Sequence, residues 1–371
     1  MMEKKENGKM PREKTPLGGW AAGAILALFL IVPLFIHNPY LLHIFVLVFL
    51  FAYLGTAWSL VGMAGQLSLG HAALMGIGGY VSTLMFMEWG VTPWLGMIVG
   101  GIFCGIIGVA IGYPTFRLRG PYFALTTIAF AEILRIYVEN TEEGPLGIPL
   151  RGGMGLLVPL KGDAPGLFQF STKEPYYYIA LLMMVAAIGL SFFINRWRMG
   201  FYLAAIRSDQ DAAEALGINS TKYKLIAMAV SCVLTALGGT FYAQYFRYIN
   251  PERAMGLSMS IEIALVGVVG GWQTVLGPTI GSILLSPSGE LVRAYLGGTY
   301  AGLHLLLYGL LIMVVVLFMP NGLNDPLIRL FKRWDARPRK CSPRKRSRAR
   351  SAQLAASRRR SCEEASGTAS S

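Results

Sequence analysis

YLLHIFVLVFLFAYLGTAWSLVGM, residues 40–63, carries no Asp, Glu, Lys or Arg in 24 positions. A helix of that length reaches about 36 Å, enough to cross the ~30 Å hydrocarbon core of a bilayer. Similar runs recur near 20–36, 68–88, 94–113, 121–139, 176–195, 224–245, 259–285 and 299–319. Of the 371 residues, 54% are hydrophobic and only 14% charged, whereas a soluble domain is about one quarter charged. The fold class is therefore an all-α polytopic membrane protein with about 8–10 transmembrane helices. The first run, WAAGAILALFLIVPLFI, leads into HNPY rather than into small residues suited to cleavage, so it reads as a retained span.

The net charge of +13 is concentrated at one end. From Lys332 onward there are thirteen Lys/Arg against three Asp/Glu, a surplus of ten. That tail lacks apolar periodicity and reads as a solvated, disordered extension, with no nucleic-acid partner assigned. The chain thus divides into an N-terminal segment 1–19, a membrane domain 20–320 and a basic tail 321–371. Of four cysteines, Cys104 and Cys232 lie in apolar runs and Cys341 and Cys362 in the tail, so no disulfide framework is indicated.

Basic residues set the orientation. Lys4, Lys5, Lys9, Arg12 and Lys14 precede the first run, Arg117 and Arg119 follow the fourth, and Arg196, Arg198, Arg207, Lys222 and Lys224 lie in or beside the loop 196–223. Six spans before residue 196 put all of them on one side, which is cytoplasmic. Segment 140–175, with Glu142, Glu143 and several Gly and Pro, is then external. Three single passes after residue 223 would leave the basic tail outside. SIEIALVGVVGGWQTVLGPTIGSILL (260–285) resolves this, because Gly270-Gly271 and Gly277-Pro278 break it. A broken pair that enters and returns through one face restores parity and keeps both termini cytoplasmic; one long kinked span is the alternative.

Polar residues within the spans mark candidate sites. GQLSLGHAALMGIGGY (65–80) places Gln66, Ser68, Gly70 and His71 at the start of a span. Polar groups there must face protein, water or a transported molecule. These four, with Gly270 and Gly271, are the candidate lining of a translocation path; an interhelical hydrogen bond that satisfies His71 is the other reading. Glu132 and Arg135 are three apart and form a candidate ion pair. In the fourth span, Gly96/Gly100, Gly101/Gly105 and Gly108/Gly112 let helices approach closely. No metal-ligand spacing, phosphate loop, nucleophile elbow, HExxH or cofactor motif occurs. The chain is therefore not read as an enzyme, and active transport would draw energy from another subunit or from an ion gradient.

RMGFYLAAIRSDQDAAEALGINSTKYK (198–224) contains a short helix. Ser208 can cap its start, Asp209 and Asp211 complement the dipole, Ala212, Ala213, Ala215 and Leu216 propagate it, and Gly217 can end it. Such a helix is marginal in water, so it is expected to dock, with Ala212, Ala213 and Leu216 as its contact face.

AAIRSDQDAAEALGINSTKYKLIAMAVS resembles the cytoplasmic coupling loop of permease subunits of bacterial ABC importers, whose hallmark is Glu-Ala-Ala followed by Gly. GQLSLGHAALMGIGGYV and SIEIALVGVVGGWQTVLGPTIGSILL resemble the branched-chain amino-acid permeases, and the layout resembles their second, longer permease subunit. The resemblance covers about residues 40–320 and stops before the Arg-rich tail. It implies an ABC importer permease fold in a bacterial inner membrane. It further implies a homologous permease partner, two ATPase subunits, an extracytoplasmic binding protein and an amino-acid substrate. Arg207, Asp211, Ala212, Ala213, Glu214, Leu216 and Gly217 would dock the ATPase, with Asp211 or Glu214 pairing to a basic residue there. Related permeases of urea and short amides share much of the pattern, and an ion-coupled secondary transporter is the remaining alternative. Gly217→Arg is expected to abolish uptake while leaving membrane insertion intact, as measured by transport assay and membrane fractionation.

Overall fold

In the computed structural model, prolines mark where most of the long helices begin. The structure describes residues 28–296 apart from 34, 36, 37, 119, 145, 146 and 148, together with 309 and 313. The helices are α1 (Pro39–Gly62), α2 (His71–Glu88), α3 (Pro93–Thr115), α4 (Pro121–Asn140) and α5 (Glu174–Arg196). Proline occupies the first turn of α1, α3, α4 and α5, where a missing N–H costs no helix bond. Asn38 Oδ1 accepts the Tyr40 N–H at 2.9 Å and completes the cap of α1. There follow α6 (Arg198–Ser208), α7 (Gln210–Ala215), α8 (Ser220–Phe246), α9 (Pro251–Ala254), α10 (Leu257–Gly270) and α11 (Gly277–Leu296).

Among the described residues, six stretches are long and apolar enough to cross a membrane: α1, α3, α4, α5, α8 and Pro251–Gly270. The chain divides into two units, Met1–Asn324 and Asp325–Ser371, and all described residues belong to the first. The expected segment 1–19, most of the expected span 20–36, nearly all of 299–319 and the tail 321–371 lie outside the described residues.

Helix α1 is the central post. From Val46 to Gly62 every residue is buried, under contacts from α5, α8, α10 and α11. Helices α2, α3 and α8 pack through missing side chains. A Cβ at Gly239 would strike the Met75 carbonyl, and one at Gly78 would strike Ala236. On α3, Gly96 faces Ser82 of α2 and Gly108 faces Cys232 of α8. Lipid supplies no hydrophobic drive for helices to associate, so this close van der Waals contact is what holds them.

Segment 260–285 is two helices rather than one kinked span. Helix α10 stops at Gly271, whose φ of +96° suits glycine, and α11 starts at Gly277. The tip between them turns on Thr274 N–H→Gly271 O (3.0 Å) and Gly277 N–H→Thr274 O (3.2 Å). Gly270, Gly277 and Gly281 allow the two arms to touch backbone to backbone. The hairpin runs along α1: Trp272 lies against Gly62, Val266 and Pro278 against Gly55, and Ser282 Oγ donates to Val48 O at 2.6 Å. From Gly62 to Val48 that contact covers about 21 Å, so the pair is deep. Helix α11 also continues to Leu296, past the expected end at 285. It does so across Pro287, beside which Ser288 Oγ donates back to Leu284 O at 2.7 Å.

The described residues of 141–173 form a folded cap over the opposite end of the helices. Strand β1 (Leu156–Leu157) pairs antiparallel with β2 (Tyr248–Ile249), Leu156 opposite Ile249. Lys161 Nζ donates to Phe86 O (3.0 Å), Trp94 Nε1 to Pro165 O (2.9 Å) and Arg247 Nη2 to Phe170 O (3.1 Å). Phe168 is buried against Trp94, Tyr176 and Phe241.

Gly239→Ala is expected to cost about 1–3 kcal/mol by overpacking and to lower the detergent melting temperature. Gly189→Ala on α5, where an added Cβ meets nothing within 4 Å, is expected to melt no lower than the parent protein.

Candidate functional site

Two polar constructions stand out, one at the loop 196–223 and one where α1 passes into α2. In the loop, Asp209 caps α7: its Oδ1 accepts from the N–H of Asp211 (3.0 Å) and of Ala212 (3.1 Å). Ser208, the expected cap, instead ends α6, and its Oγ donates to Ala204 O at 3.0 Å. The carboxylate two residues before Asp211 reaches the free N–H groups, while the serine hydroxyl bonds back into the preceding turn. Gly217, at φ +85°, terminates α7. Ile218 N–H reaches Ala213 O (3.1 Å) and Gly217 N–H reaches Glu214 O (2.9 Å), the paired bonds of a Schellman motif.

The faces of α7 differ from expectation at one position. Ala212, Ala215 and Leu216 are exposed, Leu216 by 82%. Ala213 is buried against the protein's own helices, so it cannot belong to an outward contact face. Glu214 also points to its own chain, with Oε1 accepting from Gln210 Nε2 (3.0 Å) and from Ser220 Oγ. Lys224 Nζ, on a buried residue of α8, donates to Gln210 Oε1 at 2.7 Å. These four side chains bolt α7 to the start of α8. Asp211 is exposed, and Arg207 lays its guanidinium over the Trp272 ring at 5.5 Å.

Between α1 and α2 the backbone is irregular from Met63 to Gly70. Where it is buried its N–H groups need protein partners. Thr127 Oγ1 of α4 accepts from Leu69 N–H (3.1 Å) and Ser260 Oγ of α10 accepts from Ala72 N–H (3.1 Å). Ser68 O accepts from Trp58 Nε1 at 2.7 Å. His71 is wholly buried and bonded at both nitrogens: Nδ1 to Ser68 Oγ (3.1 Å) and Nε2 to Ser231 Oγ (2.8 Å). Ser231 Oγ donates to Ala57 O at 2.6 Å, so it accepts from His71. That assigns the hydrogen to Nε2 and leaves Nδ1 to accept from Ser68.

In this conformation His71 and Ser68 close the seam between α1, α2 and α8 instead of lining an open path. A Cβ on Gly70 would sit 2.9 Å from Thr127 O, so Gly70 is a packing contact with α4. Gly270 and Gly271 shape the hairpin and do not join this group. Gln66 is buried, and its Oε1 has no partner among the described residues.

On α4, Arg135 Nε donates to Glu132 Oε1 at 3.0 Å, and Arg135 Nη1 bonds Glu139. Glu139 extends the expected pair into a triplet; its i,i+4 spacing from Arg135 was a readable signal. Among the described residues, no group of three His, Cys, Asp or Glu is placed to hold a metal ion.

Residues 40–316 match the model of a family described as the branched-chain amino acid transport system / permease component. The chain belongs to this family. The permease is 29% identical over 280 residues to the high-affinity branched-chain amino acid transport system permease protein LivM of Escherichia coli, over 71% of this chain and 64% of LivM. It is 27% identical over 276 residues to LivH of Salmonella typhimurium, over 71% of this chain and 86% of LivH. The chain thus spans slightly less than two thirds of the length of its LivM relatives. BraD of Pseudomonas aeruginosa is 25% identical over 279 residues, 71% of this chain and 87% of BraD. No solved structure matches the chain.

His71→Leu is expected to lower the melting temperature of the permease, at about 1–3 kcal/mol for leaving two buried hydroxyls without their ring partner. His71→Gln, which can keep one of the two bonds, is expected to fall between, as read by thermal unfolding in detergent.

Proposed function

We propose that this chain is one permease subunit of an ATP-driven importer of branched-chain amino acids in a bacterial inner membrane. The observation that carries the reading is α7, a capped helix with Ala212, Ala215 and Leu216 exposed, in a chain of the permease family. Six residues are too few to persist alone, and the Gln210–Glu214–Ser220–Lys224 network with Gly217 fixes how this helix is presented. ATPase subunits below the membrane would take Ala212, Leu216 and Asp211, while Glu214 and Ala213 hold the helix to its own protein. The chain itself supplies no catalytic group in this reading.

On this reading loop 196–223 and both termini are cytoplasmic, and the 141–173 cap is external and meets a substrate-binding protein. The α10–α11 hairpin enters from the outer face and turns beside Arg207. The α4 edge bearing Glu132, Arg135 and Glu139 is partly exposed, and charge at bilayer depth is costly against lipid. We assign that edge to the homologous permease partner and to the water between the two. The path would run beside Gln66, whose buried carbonyl oxygen has no partner among the described residues, with Ser68, Gly70 and His71 forming the wall behind.

The decisive experiment is uptake by cells lacking their own system and supplied with the complete transporter. Leucine, isoleucine and valine are expected to accumulate in an ATP-dependent way, while urea is not. Accumulation of urea in place of the amino acids would move the chain to the amide-transporting relatives. Uptake that collapses with the proton gradient at constant ATP would make it a secondary transporter.

A further inference from the structure

Three elements of different sequence origin meet beside Arg207. The first is the turn Gly62–Gly65 at the end of α1, closed by Gly65 N–H→Gly62 O at 2.7 Å. The second is the end of α6, two residues before the Asp209 cap of α7. The third is the tip of the α10–α11 hairpin. They fit without intervening side chains. A Cβ at Gly65 would lie 3.4 Å from Arg207 Cα, and one at Gly62 would lie 3.2 Å from Trp272 Cε3. Trp272 thus touches Gly62 and has the Arg207 guanidinium 5.5 Å from a ring centroid. Cation–π attraction of this kind is strongest with indole.

The hairpin behind Trp272 can carry a displacement. Its arms touch backbone to backbone at Gly270, Gly277 and Gly281, so they move together. Its length lies along α1, through Val266, Pro278 and Ser282, with Ser282 Oγ donating to Val48 O and, at the start of α10 away from the tip, Ser260 Oγ accepting from Ala72 N–H. On the other side, Arg207 follows α6 directly into α7. The Arg207 guanidinium, over the Trp272 ring, is therefore a contact through which a shift of α7 would meet the tip of the hairpin.

We propose that Trp272 is the positioning residue through which movement of α7 reaches the α10–α11 hairpin, by way of its contact with Arg207 over Gly62. The inference rests on the ATP-driven reading above. It adds that the hairpin is the element of this chain that answers the ATPase, and that an aromatic face at residue 272 makes the connection.

The test uses the whole transporter in proteoliposomes, with ATP hydrolysis and leucine uptake measured on one preparation. Trp272→Leu is expected to retain assembly and hydrolysis within about twofold while uptake per ATP falls about tenfold or more. Trp272→Phe, which keeps a π face for the guanidinium, is expected to keep uptake per ATP within about threefold of the parent. Equal coupling in the Leu and Phe variants would overturn the proposal. So would a Leu variant that loses hydrolysis and uptake together, since residue 272 would then serve assembly alone. Failure of the underlying function would appear in the parent transporter as absent ATP-dependent uptake. Failure of the relay alone would appear only in the variant pair.

Discussion

Backbone contact between α2 and α8 is the constraint from which the rest of the bundle follows. Gly78 and Gly239 allow these helices to approach until a single methyl group on either would collide with a main-chain atom or a neighbouring alanine. In a bilayer, where apolar side chains gain nothing by leaving lipid for each other, such close packing and interhelical hydrogen bonds are the available adhesives. The approach also brings His71 within reach of Ser231, so one geometry supplies both. Helix α3 then closes on the same seam through Gly96 and Gly108. Helix α8 begins beside α7, so the position of the loop helix depends on that seam.

The polar residues at the α1–α2 junction illustrate how an intramembrane cluster can be structural. Gln66, Ser68 and His71 sit where the backbone leaves one helix before entering the next. Thr127 and Ser260 come from distant parts of the chain to accept the N–H groups exposed there. Of the cluster, Gln66 alone keeps a buried polar atom without a partner among the described residues. The charged edge of α4 is of the opposite kind, paired along its own helix yet partly open.

Helix positions were legible in the sequence because apolar length and the prolines carry them. Spans expected at 41–61, 94–113 and 121–139 lie within one or two residues of α1, α3 and α4. The break at Gly270-Gly271 and the left-handed Gly217 were legible for the same reason, since glycine marks conformations other residues avoid. What escaped was partnership. Ser208 and Asp209 are both good caps by type, and only three-dimensional reach separates them. Which alanine of α7 faces inward depends on the docking of α6 and α8, which periodicity over six residues does not determine. Ser231 lies 160 positions from His71, and neither residue announces the other. The family resemblance of the loop singles out this segment as a whole, and it does not show that Glu214 bonds Gln210 and Ser220 of its own chain.

Strand β2 follows α8 after a single residue, Arg247, and pairs with β1 in the cap. The 27-residue α8, about 40 Å long, is thereby stitched at one end to the polar network around Glu214 and at the other to the folded cover over the far surface. One continuous helix therefore joins the two surfaces, and if binding at the cover were coupled to binding at the loop, each would alter the other's affinity by the same factor.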